Sequence, residues 1–192
     1  MQEIFIIFLY SYILGSIPFG VILSKYFLGK DIRDSGSGNI GATNVFRSGG
    51  KILGLITLTL DGLKGYLSIL ITTNFYQDYF FLSAITTFLA HLFPVWLKFK
   101  GGKGVATYLG ILFATNILLT MAFIVSWFII FIITKYSSLS SIVSSLTVFI
   151  INFYLNGFEQ SIIFLLIFLL VLLSHKSNIN RLRAGKEKKI NL

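Results

Sequence analysis

Most of this chain lies in apolar runs too long and too numerous for the interior of a soluble domain. Residues 4–28, 52–74, 80–97, 105–134, 139–155 and 161–174 are predominantly apolar, and short polar segments separate them. About 20 apolar residues cross the ~30 Å hydrocarbon core of a bilayer as a helix. A helix also satisfies its own backbone N–H and C=O groups where no water is available. Only 12% of the residues are charged, about half the share usual in a soluble domain, so there is too little polar surface to enclose this much Phe, Ile and Leu. The sequence predicts an all-α integral membrane protein, folded as a single polytopic membrane domain over residues 1–192.

Charge placement orients it. The first run is longer than a signal peptide and has no basic region before it, so it is read as a retained span. Fourteen of the sixteen basic residues fall in four places. Lys30, Arg33, Arg47 and Lys51 are in the first loop. Lys98, Lys100 and Lys103 follow the third run, Lys135 follows the fourth, and six more are in the tail after residue 175. The connections 75–79 and 156–160 and the N-terminus carry acids and no base. Cytoplasmic loops collect Lys and Arg, so the N-terminus is expected outside and the C-terminus in the cytoplasm. Both ends of the run 105–134 then lie inside, so that run must cross an even number of times. Splitting it near Asn116 gives seven transmembrane or partly spanning helices. At least one of the short pair must thin the bilayer or stop partway.

Several chemistries are excluded or disfavoured. The chain has no cysteine, which removes disulfides, thiolate metal sites and a Cys nucleophile together. His91 and His175 are its two histidines, far apart in sequence, and no metal or cofactor is expected. The net charge of +9 lies between apolar runs, where it sets topology and attracts anionic substrates or lipid. Nucleic acid is not an expected partner.

Three polar segments are suited to anions. Residues 34–47 read DSGSGNIGATNVFR. Close glycines let backbone N–H groups approach an anion, Ser37 and Thr43 add hydroxyls, and Arg47 adds a planar fork suited to phosphate. The alternative is a flexible linker. Residues 98–107 read KFKGGKGVAT, a glycine turn opening onto an apolar helix whose N-terminus is a ready anion site. It is not a Walker A loop, because Gly104 follows the lysine; the alternative is a basic hairpin that sets topology. Residues 175–187 read HKSNINRLRAGKE. A helical turn puts His175 and Asn178 on one face; the alternative, which the chemistry alone slightly favours, is a solvated basic tail beside anionic lipid. Asp61 and Lys64, three apart in an apolar helix, either pair with each other or meet substrate. Ser137, Ser138, Ser140 and Ser141 cap the next helix or offer hydroxyls to phosphate. His91, three before Pro94, is expected as a hydrogen-bonded packing residue.

At these residues the chain resembles the bacterial acyl-phosphate:glycerol-3-phosphate acyltransferases (PlsY). The resemblance runs nearly end to end, through GSIPFG at 15–20, SGNIGATN at 37–44, DGLKG at 61–65, FKGGKGVAT at 99–107, SLSS at 138–141 and HKSNINRLRAGKE at 175–187. It implies a seven-helix enzyme of the bacterial plasma (inner) membrane with its site facing the cytoplasm. It implies acyl transfer from acyl phosphate to the 1-hydroxyl of glycerol 3-phosphate, giving lysophosphatidic acid and phosphate in phospholipid synthesis. It implies catalytic roles for Ser37, Arg47, Lys103, His175 and Asn178. It implies substrate or phosphate binding by Thr43, Asn44, Gly101, Gly102, Gly104, Ser141 and Glu187. Lipid and the two phosphate substrates are the implied partners.

The motifs hold many phosphate donors and no evident activated nucleophile, so direct attack by glycerol 3-phosphate is expected rather than an acyl-enzyme. The proton goes to His175 or to the donor's own phosphate. A transporter for a phosphorylated solute is the rival reading. Transporters usually carry internal repeats and midplane polar sites, whereas no repeat is visible here and the polar clusters crowd one face.

Overall fold

A computed structural model describes residues 1–190. The chain forms two compact units, Met1–Thr115 and Asn116–Leu192, and among the described residues it has no strand. Five helical stretches there are long and apolar enough to cross a membrane: Gln2–Leu28, Lys51–Phe75, Gln77–Leu97, Ile117–Thr134 and Ser137–Ser174. Large apolar side chains such as Phe75, Phe113, Phe128 and Ile133 are exposed, as expected where lipid is the solvent.

In the first unit the run 4–28 is two helices, α1 (Gln2–Ser16) and α2 (Phe19–Leu28). Pro18 has no N–H to donate and forces the residue before it out of helical geometry; Ile17 is extended, and the helix ends there. The segment after α2 is not a flexible linker. Residues 32–34 form a tight turn and Ala42–Gly49 form a short helix, α3. Ile32, Ile40 and Val45 pack with Val21, Leu53 and Leu97 in a small apolar core, which fixes the glycine-rich segment.

Helix α4 (Lys51–Phe75) runs beside α3, α5 (Phe80–Leu92) and α6 (Val105–Thr115), and α1 lies along α5. Between apolar surfaces in lipid no hydrophobic force draws helices together, so close packing of small residues and interhelical hydrogen bonds must do so. Both are present. The backbones of α4 and α6 approach through Gly62, Gly65 and Gly110; a Cβ on Gly110 would collide with the carbonyl of Gly62. Ser68 bonds Thr87 at 2.6 Å and Ser83 at 3.1 Å, Ser11 bonds Ser83 at 3.0 Å, and Tyr10 bonds Thr72 at 2.6 Å, tying α1, α4 and α5 together. Replacing Gly110 with Val is expected to separate α4 from α6 and cost about 3 kcal/mol. The midpoint of thermal unfolding in detergent measures this, and an unchanged midpoint contradicts the packing.

Helix α6 ends where the sequence argument divides the run 105–134. Its 11 residues span roughly 16 Å, about half the hydrocarbon thickness. Asn116 then caps α7 (Ile117–Thr134): its side chain accepts the amides of Leu118 and Leu119 at 2.9 and 3.2 Å. In this second unit α7 pairs with α8 (Ser137–Ser174), and α9 (Lys176–Arg183) follows. Helix α8 covers both expected runs 139–155 and 161–174, with a break at Gly157 (φ 82°, ψ 179°) rather than a loop. Asn152 straps the break, donating to Ser161 Oγ at 2.8 Å and to the Gln160 carbonyl at 3.2 Å.

Candidate functional site

The polar segments fall into two groups, one in each unit. In the first unit, Asn44 organises the loop that carries Ser37. Its Oδ1 accepts the Ser37 amide at 2.8 Å, and its Nδ2 faces the carbonyls of Ile32, Ser35 and Asn39 at 3.1, 3.0 and 2.8 Å. Asn44 is buried, and its amide is committed to the loop. Thr43 and Arg47, four apart in α3, share one helical face. Ser37 and Arg47 are exposed and Thr43 is half-buried. Arg33 grips Asp31 in a two-point contact at 2.9 and 2.7 Å. The Arg33 guanidinium holds the Asp31 carboxyl far below the usual carboxylate range.

The second glycine segment folds back on the end of α5. The amide of Gly101 donates to Leu92 O at 3.0 Å and that of Gly102 to His91 O at 3.1 Å. These two N–H groups therefore hold the loop in place. A Cβ on Gly101 would strike those same carbonyls, and one on Gly102 would strike the His91 ring. Gly104, at φ 79°, lies against Phe88, and its carbonyl accepts the Tyr108 amide at 2.7 Å as α6 begins. Lys103, half-buried, stands between these fixed glycines.

Beneath this loop Asp61 and Lys64 are paired, as one of the two sequence readings has it. Lys64 Nζ is 2.7 Å from Asp61 Oδ1 and 2.7 Å from Ile17 O. His91 is buried beside them, and its Nδ1, 3.8 Å from Asp61 Oδ1, has no hydrogen-bond partner among the described residues.

In the second unit, His175 and Asn178 are brought to the junction of α8 and α9, both buried. His175 Nδ1 lies 2.9 Å from Val171 O. A carbonyl only accepts, so Nδ1 carries the proton and Nε2 is the basic nitrogen of the neutral ring. Ser141 is buried too; its hydroxyl donates to Ser137 O at 2.8 Å and accepts from the Trp127 indole at 3.1 Å.

Glu187 ties the tail back. It accepts from Ser138 Oγ at 2.8 Å, Asn178 Nδ2 at 2.6 Å and Arg181 Nε at 2.7 Å. The Ile190 amide donates to Lys135 O at 3.0 Å. The segment up to residue 190 is therefore tied down at Glu187 and Ile190, while Arg183, Lys186, Lys188 and Lys189 stay exposed. Burial raises the Glu187 carboxyl, but the hydrogen bonds from Asn178, Arg181 and Ser138 outweigh it, and the carboxyl titrates below its ordinary value. With the folded value below the unfolded one, this tie stabilises the fold above the ordinary carboxyl range. The contribution is lost as pH falls through the folded value. The expected result is that protection of the Ile190 amide, corrected for the intrinsic pH dependence of exchange, is lost as pH falls below the ordinary carboxyl range. In Glu187→Gln that step is absent.

Sequence reasoning does not foresee the Arg181 and Ser138 contacts to Glu187 or the Trp127 contact to Ser141, although it names Ser138 as a helix cap or a hydroxyl for phosphate. The first two carry one signal, since a lone acid in a basic tail needs cationic or hydroxyl partners. Trp127 reaches Ser141 across a helical hairpin, which no local spacing encodes. Among the described residues no cluster of three His, Asp or Glu side chains is placed to hold a metal ion.

Residues 5–185 match a family model described as glycerol-3-phosphate acyltransferase. A glycerol-3-phosphate acyltransferase of Pelagibacter ubique is 55% identical over 190 residues, covering 98% of each chain. Among solved structures, the fold is similar to PlsY (YgiH), an integral membrane glycerol 3-phosphate acyltransferase, in its glycerol 3-phosphate form. The TM-score is 0.93 at 36% identity, over 98% of this chain and 96% of that one. The lysophosphatidic acid form gives 0.89 at 35% identity, with the same coverage.

Proposed function

This chain belongs to the glycerol-3-phosphate acyltransferase family, and from that premise we propose how its residues divide the work. It is an integral membrane acyltransferase of phospholipid synthesis that acts on glycerol 3-phosphate. The donor is acyl phosphate. The 1-hydroxyl oxygen of glycerol 3-phosphate bonds to the acyl carbon, the bond from that carbon to the phosphate oxygen breaks, and phosphate leaves with the electron pair. The products are 1-acylglycerol 3-phosphate and inorganic phosphate.

Arg47, Thr43 and Ser37 hold one phosphate group, and Lys103 on its glycine loop holds the other. Gly101, Gly102 and Gly104 shape that loop. Asn44 and Glu187 act as positioning residues, since the Asn44 amide is engaged by its own loop and the Glu187 carboxylate by Ser138, Asn178 and Arg181. Ser141 binds a substrate phosphate, and Asn178 is catalytic with His175. His175 Nε2 takes the hydroxyl proton and passes it to the departing phosphate. Seven segments cross or enter the bilayer of the bacterial plasma membrane, with the N-terminus outside and the basic loops and tail in the cytoplasm. The support is the placement of fourteen of the sixteen basic residues.

The observation that carries direct transfer is the commitment of His175 Nδ1 to Val171 O. Ser174 Oγ, 3.3 Å from that nitrogen, donates to the same carbonyl at 3.0 Å, so the pair is not a nucleophile–base couple. The test omits the acceptor. Purified protein with acyl phosphate alone is expected to release no phosphate burst and to keep its intact mass. Adding glycerol 3-phosphate then yields acylated product and phosphate in equal amounts. A mass increase by one acyl group would contradict direct attack.

A further inference from the structure

The ion pair of Asp61 and Lys64 lies within the first unit, at a depth where charge is costly and where neither group belongs to the phosphate-binding set above. Both side chains are almost fully buried, at 3% and 2% exposure. A buried pair seldom stabilises a fold more than apolar residues of the same shape do, so stability alone is a weak reason for it. Its contacts give a stronger one. Lys64 Nζ donates to Ile17 O at the Pro18 break between α1 and α2, and it stands 5.8 Å from the Phe19 ring. Asp61 Oδ1 is 3.8 Å from His91 Nδ1. The carbonyl of His91 receives the Gly102 amide, and the His91 ring fills the space where a Gly102 side chain would stand. Lys103 is the next residue.

We propose that Lys64, Asp61 and His91 are positioning residues that set the glycine loop, and with it Lys103, in register with the phosphate of a bound substrate. The chain of contacts starts at the Pro18 break, passes through α4 to the end of α5, and ends at the loop. His91 is its last member: its backbone holds the Gly102 amide while its ring sets how closely the loop settles onto α5. Granted the acyl-transfer reading above, a displaced loop weakens phosphate binding and alignment without unfolding the helices. Misplacement by about an ångström at a reacting group reduces rate on the order of a hundredfold.

Two variants in the full-length chain test this, with wild type assayed alongside. Asp61→Leu/Lys64→Met removes both charges and keeps the volume. Ile17 O still accepts the Phe19 amide in that variant, so no buried carbonyl is left without a donor. His91→Leu empties the polar position, and His91→Asn returns a polar atom near that of Nδ1. The expected result is an unfolding midpoint close to wild type for the double variant. Its KM for one phosphate substrate rises on the order of tenfold or more, and His91→Leu behaves alike. His91→Asn recovers most of the loss. Wild-type KM values in the double variant overturn the proposal. So does a His91→Asn no better than His91→Leu, or a loss of activity that only follows the loss of folded protein. Failure of wild type to turn over glycerol 3-phosphate at all removes the acyl-transfer reading and this inference with it, so the two failures are told apart.

Discussion

Lys103→Ala is expected to lower kcat/KM for acyl transfer on the order of a thousandfold while the protein folds as wild type. Removing one preorganised group that neutralises charge in a transition state costs roughly a hundredfold to a thousandfold. Here the group also aligns a reacting phosphate, which adds to the loss. The loop keeps the Gly101 and Gly102 amide bonds to Leu92 O and His91 O, which the substitution leaves in place. Lys103→Arg should recover little, since the planar guanidinium is longer and asks for a different approach than a compact ammonium. Steady-state kinetics on both substrates, with the unfolding midpoint measured in parallel, check this. Full activity in Lys103→Ala removes that residue from the reaction.

The second large effect is at His175. His175→Ala is expected to reduce kcat by about a hundredfold to ten-thousandfold, the range of a lost general base. The tautomer makes the test sharper. With Nδ1 donating to Val171 O at 2.9 Å, catalysis falls to Nε2. A glutamine side chain can place its amide near that nitrogen but cannot accept a proton at neutral pH. His175→Gln should therefore bind glycerol 3-phosphate nearly as wild type and remain as slow as His175→Ala. Equal kcat in His175→Gln and wild type would show that only a hydrogen bond is needed there, with the proton going directly to the leaving phosphate.

Much of this was legible in the sequence. Apolar run lengths mark the helices, and the division of the run 105–134 near Asn116 coincides with the end of α6 at Thr115 and the cap of α7 at Asn116. What the sequence hides is mostly three-dimensional accommodation. Residues 34–47 leave a linker as the alternative, because glycine and serine describe a flexible chain unless something packs beneath them. Ile32, Ile40 and Val45 do so here, spaced with no helical or strand period. The family resemblance implies Asn44 and Glu187 as phosphate ligands. Only the structure shows the Asn44 amide engaged by its own loop and the Glu187 carboxylate by Ser138, Asn178 and Arg181. The glycines at 101 and 102 show the same limit. Composition offers their N–H groups to an anion, while the fold spends them on α5 and leaves close approach as the reason for glycine. The Asp61–Lys64 spacing predicts the pair but not its extension to Ile17 and His91, since those contacts join residues far apart in the chain.

The central claim is acyl transfer from acyl phosphate to glycerol 3-phosphate, and its most direct test is a donor comparison on purified protein in lipid. Labelled glycerol 3-phosphate is supplied with acyl phosphate in one reaction and acyl-CoA in another, without added metal. The account predicts 1-acylglycerol 3-phosphate from acyl phosphate alone, with one phosphate released per product. Product from acyl-CoA at a comparable rate, or none from either donor in folded protein, would contradict it.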